Sequence, residues 1–122
     1  MSKSATSVLV FGIYLVVIGV GLLFIPNTVL GLFGFSTTTE PWISVVAMLL
    51  LILSYYYIQK ARNEDKAFFR LTVHGRASVI VFFGAFVLLS IAPAMLILFG
   101  VVDLLAAIWT ALALRSESEP VF

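Results

Sequence analysis

One acidic residue, Asp103, has the strongest reason of any side chain in this sequence to do chemistry. It lies inside an apolar segment, residues 94–114, that contains no other charged residue. At a rise of about 1.5 Å per residue, Asp103 would lie roughly 13 Å and 16 Å from the two ends of such a helix. An ionisable group at the middle of a membrane is costly and faces a bundle interior or a wet cavity. Asp103 is therefore a candidate site for a proton or a ligand, or else a polar residue that holds a bundle together.

Several hydroxyl groups are expected near the depth of Asp103. Thr110 lies seven residues further along the same helix face. Residues of other apolar segments fall within about two helical turns of the same level, and a hydroxyl bonded to the acid would satisfy a buried carboxyl at low cost. The predicted ligand or proton site consists of Asp103, Tyr14, Ser54, Tyr55 and Thr110.

A direct salt bridge between Arg76 and Asp103 is not favoured. Counted along the two helices from the reversal at Pro93, Arg76 would lie about 9 Å further from that reversal than Asp103 does. The two helices are predicted to be antiparallel, and each side chain leans toward the start of its own helix, so the two lean apart. We expect Arg76 to reach the membrane interface instead.

The composition places most of this chain in a membrane. Of its 122 residues 62% are apolar and only 11% are charged, which excludes an ordinary soluble domain. Four apolar segments, residues 8–25, 42–58, 71–91 and 94–114, are each near the length that crosses a bilayer as a helix, and none has a polar face of useful width. The predicted fold is all-α: a polytopic membrane protein whose single domain, residues 1–122, is an antiparallel bundle of four transmembrane helices.

The basic residues indicate the orientation of the helices. The lysines and arginines lie near the amino terminus, the second connection or the carboxy terminus, and the first and third connections have none. An even number of crossings places those three regions on one side, which the positive-inside rule assigns to the cytoplasm. We therefore expect a multi-pass protein of the cell membrane with both termini cytoplasmic.

The first apolar segment and the connection after it carry two further predictions. Residues 8–25 are longer than the apolar core of a signal peptide and no small-residue cleavage site follows them, so we expect an uncleaved helix that ends at Pro26. Residues 29–35 are too apolar for a loop in water. They are expected to lie at the headgroup boundary or to fold onto the bundle; the alternative is a re-entrant loop that lines a pore.

The sequence also predicts which residues pack between helices and which lie at the membrane boundary. Small residues let neighbouring helices approach closely, and those expected at such contacts are Gly12, Gly19, Gly84, Gly100 and Ala107. Tryptophan and arginine favour the boundary, and the expected interfacial anchors are Trp42, Arg76, Trp109 and Arg115.

Several kinds of chemistry lack support in this sequence. It has no cysteine and one histidine, His74, and its acids form no pair or cluster at the spacing of a hydrolytic or metal site. No catalytic residue, metal or cofactor is therefore predicted. The basic cluster at residues 59–70 is small and partly neutralised, which favours anionic lipid over nucleic acid. Expected partners are membrane lipids, a lipophilic small molecule, and further copies of the chain or a larger membrane complex.

Residues 26–35 (PNTVLGLFGF), the basic middle connection and residues 99–103 (FGVVD) resemble the DoxX-like, uncharacterised small four-helix membrane proteins of bacteria. The resemblance spans most of the chain and implies a place in the bacterial inner membrane. Some such families are linked to quinone or thiol redox systems, and this chain has no cysteine for thiol chemistry.

Three classes of function stay open at this point. The first is a non-enzymatic membrane subunit or oligomer that packs with partner helices or shelters a lipophilic ligand near Asp103. The second is a small transporter or proton-coupled carrier in which Asp103 titrates. The third is a quinone- or lipid-modifying membrane enzyme with Asp103 as an acid, assisted by Tyr14 or Tyr55. The absence of an acidic pair and of a phosphate-binding loop favours the non-enzymatic class.

Overall fold

Long apolar segments without a polar face fold as helices, which satisfy their own backbone hydrogen bonds in lipid. The computed structural model describes residues 1–118, and within that range it holds four long helices, one short helix and no strand. They are α1 (Lys3–Phe24), α2 (Pro26–Leu32), α3 (Trp42–Arg62), α4 (Lys66–Leu88) and α5 (Leu96–Ser118). The long helices have 21 to 23 residues, about 31–35 Å at 1.5 Å per residue, and each is apolar enough to cross a membrane. The predicted all-α bundle of four transmembrane helices is confirmed.

The outer surface of the long helices is apolar. Large side chains along their length point away from the bundle, among them Leu88 at 87%, Val81 at 70% and Leu112 at 60% exposure. A soluble protein rarely exposes a continuous apolar surface of this extent. Lipid chains are therefore the solvent for the outer face, and the protein is a multi-pass membrane protein.

Both α1 and α4 begin earlier than the apolar segments that predicted them. Ser2 caps α1, since its Oγ accepts a hydrogen bond from Ala5 N at 3.1 Å. Asp65 caps α4, since its carboxylate accepts one from Phe68 N at 3.1 Å. Hydropathy detects the apolar length of a span, whereas capping decides where its helix begins.

Pro26 interrupts the first helix but does not end helical structure. The backbone bends at Ile25, with φ −134° and ψ 58°, and Pro26 then opens α2. Proline is tolerated there because the first N–H of a helix has no partner within the helix. Leu30 of α2 is buried in a cluster with Leu22 and Ile43. Residues 26–32 thus fold onto the bundle as a short helix.

The long helices pair as two antiparallel hairpins, α1 with α3 and α4 with α5. The hairpins meet mainly through α1 and α5, and α1 also touches α4. Helix α1 therefore lies at the centre of the bundle.

Small residues allow the closest of these helix contacts. A Cβ added at Gly12 or Gly19 would come within 3.0 Å of a side chain of α3. At Gly100 it would lie 2.7 Å from Ile80 Cδ1 and 3.2 Å from Ile80 Cα. Ala107 is 1% exposed. Gly84 differs, because a Cβ there would meet no atom within 4 Å, so this glycine does not serve a close helix contact.

One end of the bundle is held by polar side chains from the chain termini and the α3–α4 turn. Glu64 accepts hydrogen bonds from Ser2 N at 2.9 Å and Ser2 Oγ at 2.5 Å, and these hold the pKa of Glu64 below its usual value. Lys66 Nζ lies 2.5 Å from Glu117 Oε2. We refer to this end as the basic end, and to the opposite end, which carries α2 and residues 89–95, as the loop end.

Gly100→Ala should destabilise the bundle, whereas Gly84→Ala should not. Each change replaces a glycine inside a helix by alanine, which should stabilise the helix by about 1 kcal/mol. The difference in stability between the two variants therefore measures the effect of the added methyl group on packing. At Gly100 that group must displace Ile80, including its backbone, and overpacking of this kind costs about 1–3 kcal/mol. Unfolding in detergent, followed by circular dichroism, should give a lower midpoint for Gly100→Ala. Equal midpoints would contradict the close contact of α4 with α5.

Candidate functional site

The two hairpins touch closely near the basic end and separate toward the loop end. The Tyr57 and Phe68 rings lie 5.5 Å apart between α3 and α4, and the hydroxyl oxygens of Ser7 and Thr110 lie 2.6 Å apart between α1 and α5. Beyond these contacts a cleft of about 470 Å³ opens between the helices. All five helices contribute to its walls, so only the folded bundle forms it.

The walls of the cleft are apolar except for a few groups. Aliphatic and aromatic side chains dominate, among them Leu15, Ile18, Val46, Leu50, Phe83 and Phe99. Asp103 of α5 and Tyr14 of α1 also line the cleft. These two supply a carboxylate that accepts hydrogen bonds and a phenol that donates or accepts them. The cleft can therefore hold an apolar body and bind one polar group.

Tyr14 and Asp103 lie at the same level of the bundle. The bond between Ser7 and Thr110 fixes the register of α1 against α5. Tyr14 follows Ser7 by seven residues, and Asp103 precedes Thr110 by seven, which on antiparallel helices is the same displacement of about 10 Å. Of the hydroxyls predicted near Asp103, Tyr14 is the one that shares its cleft.

Asp103 is half-buried, and its carboxylate has no side-chain partner within residues 1–118. No hydroxyl or amide side chain in that range donates a hydrogen bond to it, and no Lys, Arg or His forms a salt bridge with it. The expected hydrogen bond to a hydroxyl of the bundle is therefore not formed. The carboxylate keeps its hydrogen-bonding capacity for a group that enters the cleft.

The other predicted hydroxyls point elsewhere. Ser54 is 3% exposed, and its Oγ donates to Leu51 O of its own helix at 2.6 Å. Tyr55 is 57% exposed on the outer surface of α3, with its ring 5.9 Å from that of Tyr56. Residues one position apart on a helix project about 100° apart. Depth along a helix was predictable for these residues, but the direction of each side chain around the helix was not.

Arg76 is buried inside the bundle, at 2% exposure, and does not serve as an interfacial anchor. Its Nη2 donates to Thr72 Oγ1 at 3.0 Å and to Thr110 Oγ1 at 2.9 Å, and its Nε donates to Thr72 O at 3.2 Å. The guanidinium carbon lies 5.0 Å from the Phe11 ring centroid and 5.7 Å from that of Tyr57, where each ring face attracts a cation. Hydroxyl groups and aromatic rings thus stabilise the charge of Arg76 inside the bundle. The expectation that Arg76 reaches the membrane interface is wrong.

The side chain of Arg76 leans toward the start of α4, as the sequence predicted. All its hydrogen bonds go to Thr72 or Thr110, and it forms no salt bridge with Asp103 in the part of the chain that the structure describes. Its Nη1 is buried without a hydrogen-bond partner among these residues.

A directed chain of hydrogen bonds leads from Arg76 to the basic end. Thr110 accepts from Arg76, because a guanidinium only donates. Ser7 donates to Ser4 O at 2.7 Å, so the hydroxyl shared between Thr110 and Ser7 is donated by Thr110. Ser4 in turn donates from its N and Oγ to Glu117. Small polar residues on otherwise apolar helices are the signal for this chain of hydrogen bonds in the sequence, and of Ser4, Ser7 and Thr110 only Thr110 belongs to the predicted site.

A second cavity with hydroxyl groups on its wall adjoins the cleft at the loop end. This cavity of about 520 Å³ is lined by Ser36, Thr37 and Thr38 and shares Leu30, Phe35 and Trp42 with the cleft. The cleft thus adjoins a hydroxyl-lined vestibule at the loop end.

The other expected interfacial anchors have exposed side chains. Trp42 is 53% exposed at the loop end and Trp109 is 44% exposed. Arg115 is exposed in the last turn of α5.

Thr110→Val should destabilise the bundle while keeping the shape of the side chain. The change removes the hydroxyl that joins Arg76 to Ser7, and we expect a loss of about 1–2 kcal/mol in the free energy of unfolding. Thr6→Val is the matched control, since Thr6 is exposed and its hydroxyl donates only to Ser2 O of the same helix end. Titration with dodecyl sulfate measures both. Equal losses would mean that the internal chain of hydrogen bonds does not stabilise the bundle.

Comparison with known proteins supplies no family for this chain. Protein-family models, curated proteins and solved structures were each compared with it, and none matches. What the cleft binds must therefore be inferred from its own residues.

Proposed function

We propose that this protein is a non-enzymatic integral membrane protein that binds a lipophilic molecule in the cleft, with Asp103 contacting the polar group of that molecule. The observation that carries the proposal is an apolar cleft of about 470 Å³ with one half-buried carboxylate on its wall. Small-molecule sites are typically about 300–1,000 Å³, mostly apolar, and oriented by a few polar groups. The cleft has this size and this composition.

The polar group of the ligand is a hydrogen-bond donor, and a hydroxyl fits best. Asp103 offers acceptor oxygens that no side chain of residues 1–118 occupies, and Tyr14 can donate or accept at the same level. A neutral long-chain alcohol or phenol satisfies the carboxylate and fills the apolar walls.

The ligand enters from the lipid or from the loop end. The vestibule places three hydroxyl-bearing residues, Ser36, Thr37 and Thr38, beside the mouth of the cleft. A molecule with an apolar body and one hydroxyl finds polar partners there before its head reaches Asp103. This arrangement supports a shelter for an amphiphile rather than a closed structural core.

The proposal extends to the surroundings of the protein. The basic end faces the cytoplasm, because the lysines and arginines are gathered on that side of the chain. The resemblance of residues 26–35 and 99–103 to DoxX-like proteins supports the bacterial inner membrane as its location. The apolar outer faces of the long helices leave room for a homo-oligomer or a larger membrane complex.

A pyrene-labelled long-chain alcohol should bind the detergent-solubilised protein, and Asp103→Asn should weaken binding about tenfold. The change keeps the shape of the side chain but replaces a charged acceptor by the neutral amide oxygen. Hydrogen bonds to charged groups contribute about 1.5–3 kcal/mol and neutral ones about 0.5–1.5 kcal/mol, and the difference of about 1–1.5 kcal/mol corresponds to about tenfold in Kd. Leu50→Trp should also weaken binding, since the larger indole narrows the cleft that Leu50 lines. Fluorescence titration measures the Kd of each variant.

Ser54→Ala is the control for this titration, because Ser54 is buried in α3 outside the cleft walls. Its Kd should equal that of the unmodified protein. Unchanged binding in Leu50→Trp would exclude the cleft as the site. Unchanged binding in Asp103→Asn alone would remove the acid from the proposal.

A proton-coupled carrier is the second candidate, and one observation favours it. Polar groups lie on both sides of Asp103 along the bundle axis. The hydrogen-bonded residues Arg76, Thr110 and Ser7 lie toward the basic end, and the vestibule lies toward the loop end. A carrier needs access to its titrating acid from both sides of the membrane.

Proteoliposomes with a pH-sensitive dye inside distinguish the two candidates. For a sheltering protein, we expect proton flux along an imposed pH gradient to equal that of empty liposomes, with or without the alcohol. A carrier would instead show alcohol-dependent proton flux that Asp103→Asn abolishes. Such flux would replace the first proposal with the second.

A further inference from the structure

We infer that the headgroup of an anionic phospholipid binds in a groove between α4 and α5 at the basic end. The groove has a volume of about 260 Å³ and is lined by Arg70, Val73, His74, Ala111, Leu114 and Arg115. It lies on the outer side of the α4–α5 hairpin and shares no lining residue with the cleft beside Asp103. The inference is therefore independent of the proposed function.

The two arginines of the groove face each other across it. Gly100 of α5 packs against the backbone of Ile80 of α4, which sets the register of these two helices. Toward the basic end, Arg70 lies ten residues from Ile80 and Arg115 lies fifteen from Gly100, so the Cα atom of Arg115 lies about 8 Å nearer that end. Each side chain leans toward the start of its own helix, which brings the two guanidinium groups toward each other. Both are exposed, and a guanidinium binds phosphate oxygens in a bidentate manner.

The deeper residues of the groove match the remaining parts of a phospholipid. His74 follows Arg70 by four residues on the same face of α4, about 6 Å further into the membrane. Val73, Ala111 and Leu114 are only partly exposed and form an apolar floor. A phosphate held by the arginines would place the ester oxygens near the imidazole and the first methylene groups on the floor. A free phosphate ion would leave the imidazole and the floor unused.

The position and the charge of the groove favour an anionic lipid. Arg70 is in the second turn of α4 and Arg115 in the last turn of α5, which is where transmembrane helices meet the headgroups. None of the six residues that line the groove is acidic. A net anionic headgroup is thus attracted more strongly than a zwitterionic one.

Native mass spectrometry of the full-length protein in detergent, titrated with phosphatidylglycerol or phosphatidylcholine, tests the site. We expect phosphatidylglycerol to bind more tightly. The variant Arg70→Gln/Arg115→Gln should lose about 20- to 30-fold in affinity for it, at about fivefold per basic residue. The variant Arg70→Lys/Arg115→Lys should lose less, because lysine keeps the charge but not the planar fork. Equal binding of the two lipids would overturn the inference.

Lys3→Gln/Arg62→Gln is the matched control, since it removes two exposed basic side chains of the same end that do not line the groove. It should keep the affinity of the unmodified protein within about twofold, because charges exposed to salt and separated from the groove are screened. An equal loss in the control would assign the binding to the charge of the whole end and overturn the groove as a site. If Arg70→Gln/Arg115→Gln does not fold, by circular dichroism, Arg70→Gln alone carries the test with an expected loss of about fivefold.

Discussion

The buried guanidinium of Arg76 is the group on which the arrangement of the helices depends. Lipid supplies no hydrogen bonds, so a charge below the membrane surface must find its partners within the protein. Arg76 belongs to α4, donates to Thr110 of α5, and lies over the rings of Phe11 of α1 and Tyr57 of α3. A single side chain therefore contacts all four transmembrane helices and sets their positions near the basic end.

The cleft follows from that convergence. Near Arg76 the helices are drawn together by hydroxyls, rings and small residues, while toward the loop end they have no comparable polar contact in the described range. Helix α2 and residues 33–41 cover part of the resulting gap, with Leu30 and Phe35 on its wall. Asp103 lies on α5 two helical turns from Thr110, past the end of the polar contacts, so its carboxylate faces the cleft instead of a hydroxyl. The same polar cluster thus explains both the stability of one end and the opening of the other.

The two candidate binding sites use the charges of the bundle in different ways. Asp103 is a lone acid on an apolar wall, suited to orienting one polar group of a lipophilic molecule. Arg70 and Arg115 are paired bases at a helix boundary, suited to an anionic headgroup at the membrane surface. Arg76 lies between these two sites in depth. Its hydrogen bonds are made within the bundle, so it stabilises the structure and does not line either site.

The sequence by itself determined the number of helices able to span a membrane and the antiparallel pairing of the last two helices. These depend on apolar length and on rise per residue, which are local quantities. Only the tertiary structure decided which residues meet at a given depth: Tyr14 shares the cleft, Ser54 bonds its own backbone, Tyr55 faces outward and Arg76 is buried. The physical reason is that depth is a property of one helix, whereas direction depends on how each helix is rotated against its neighbours. Contacts among Arg76, Thr110, Phe11 and Tyr57, which are far apart in the chain, set that rotation.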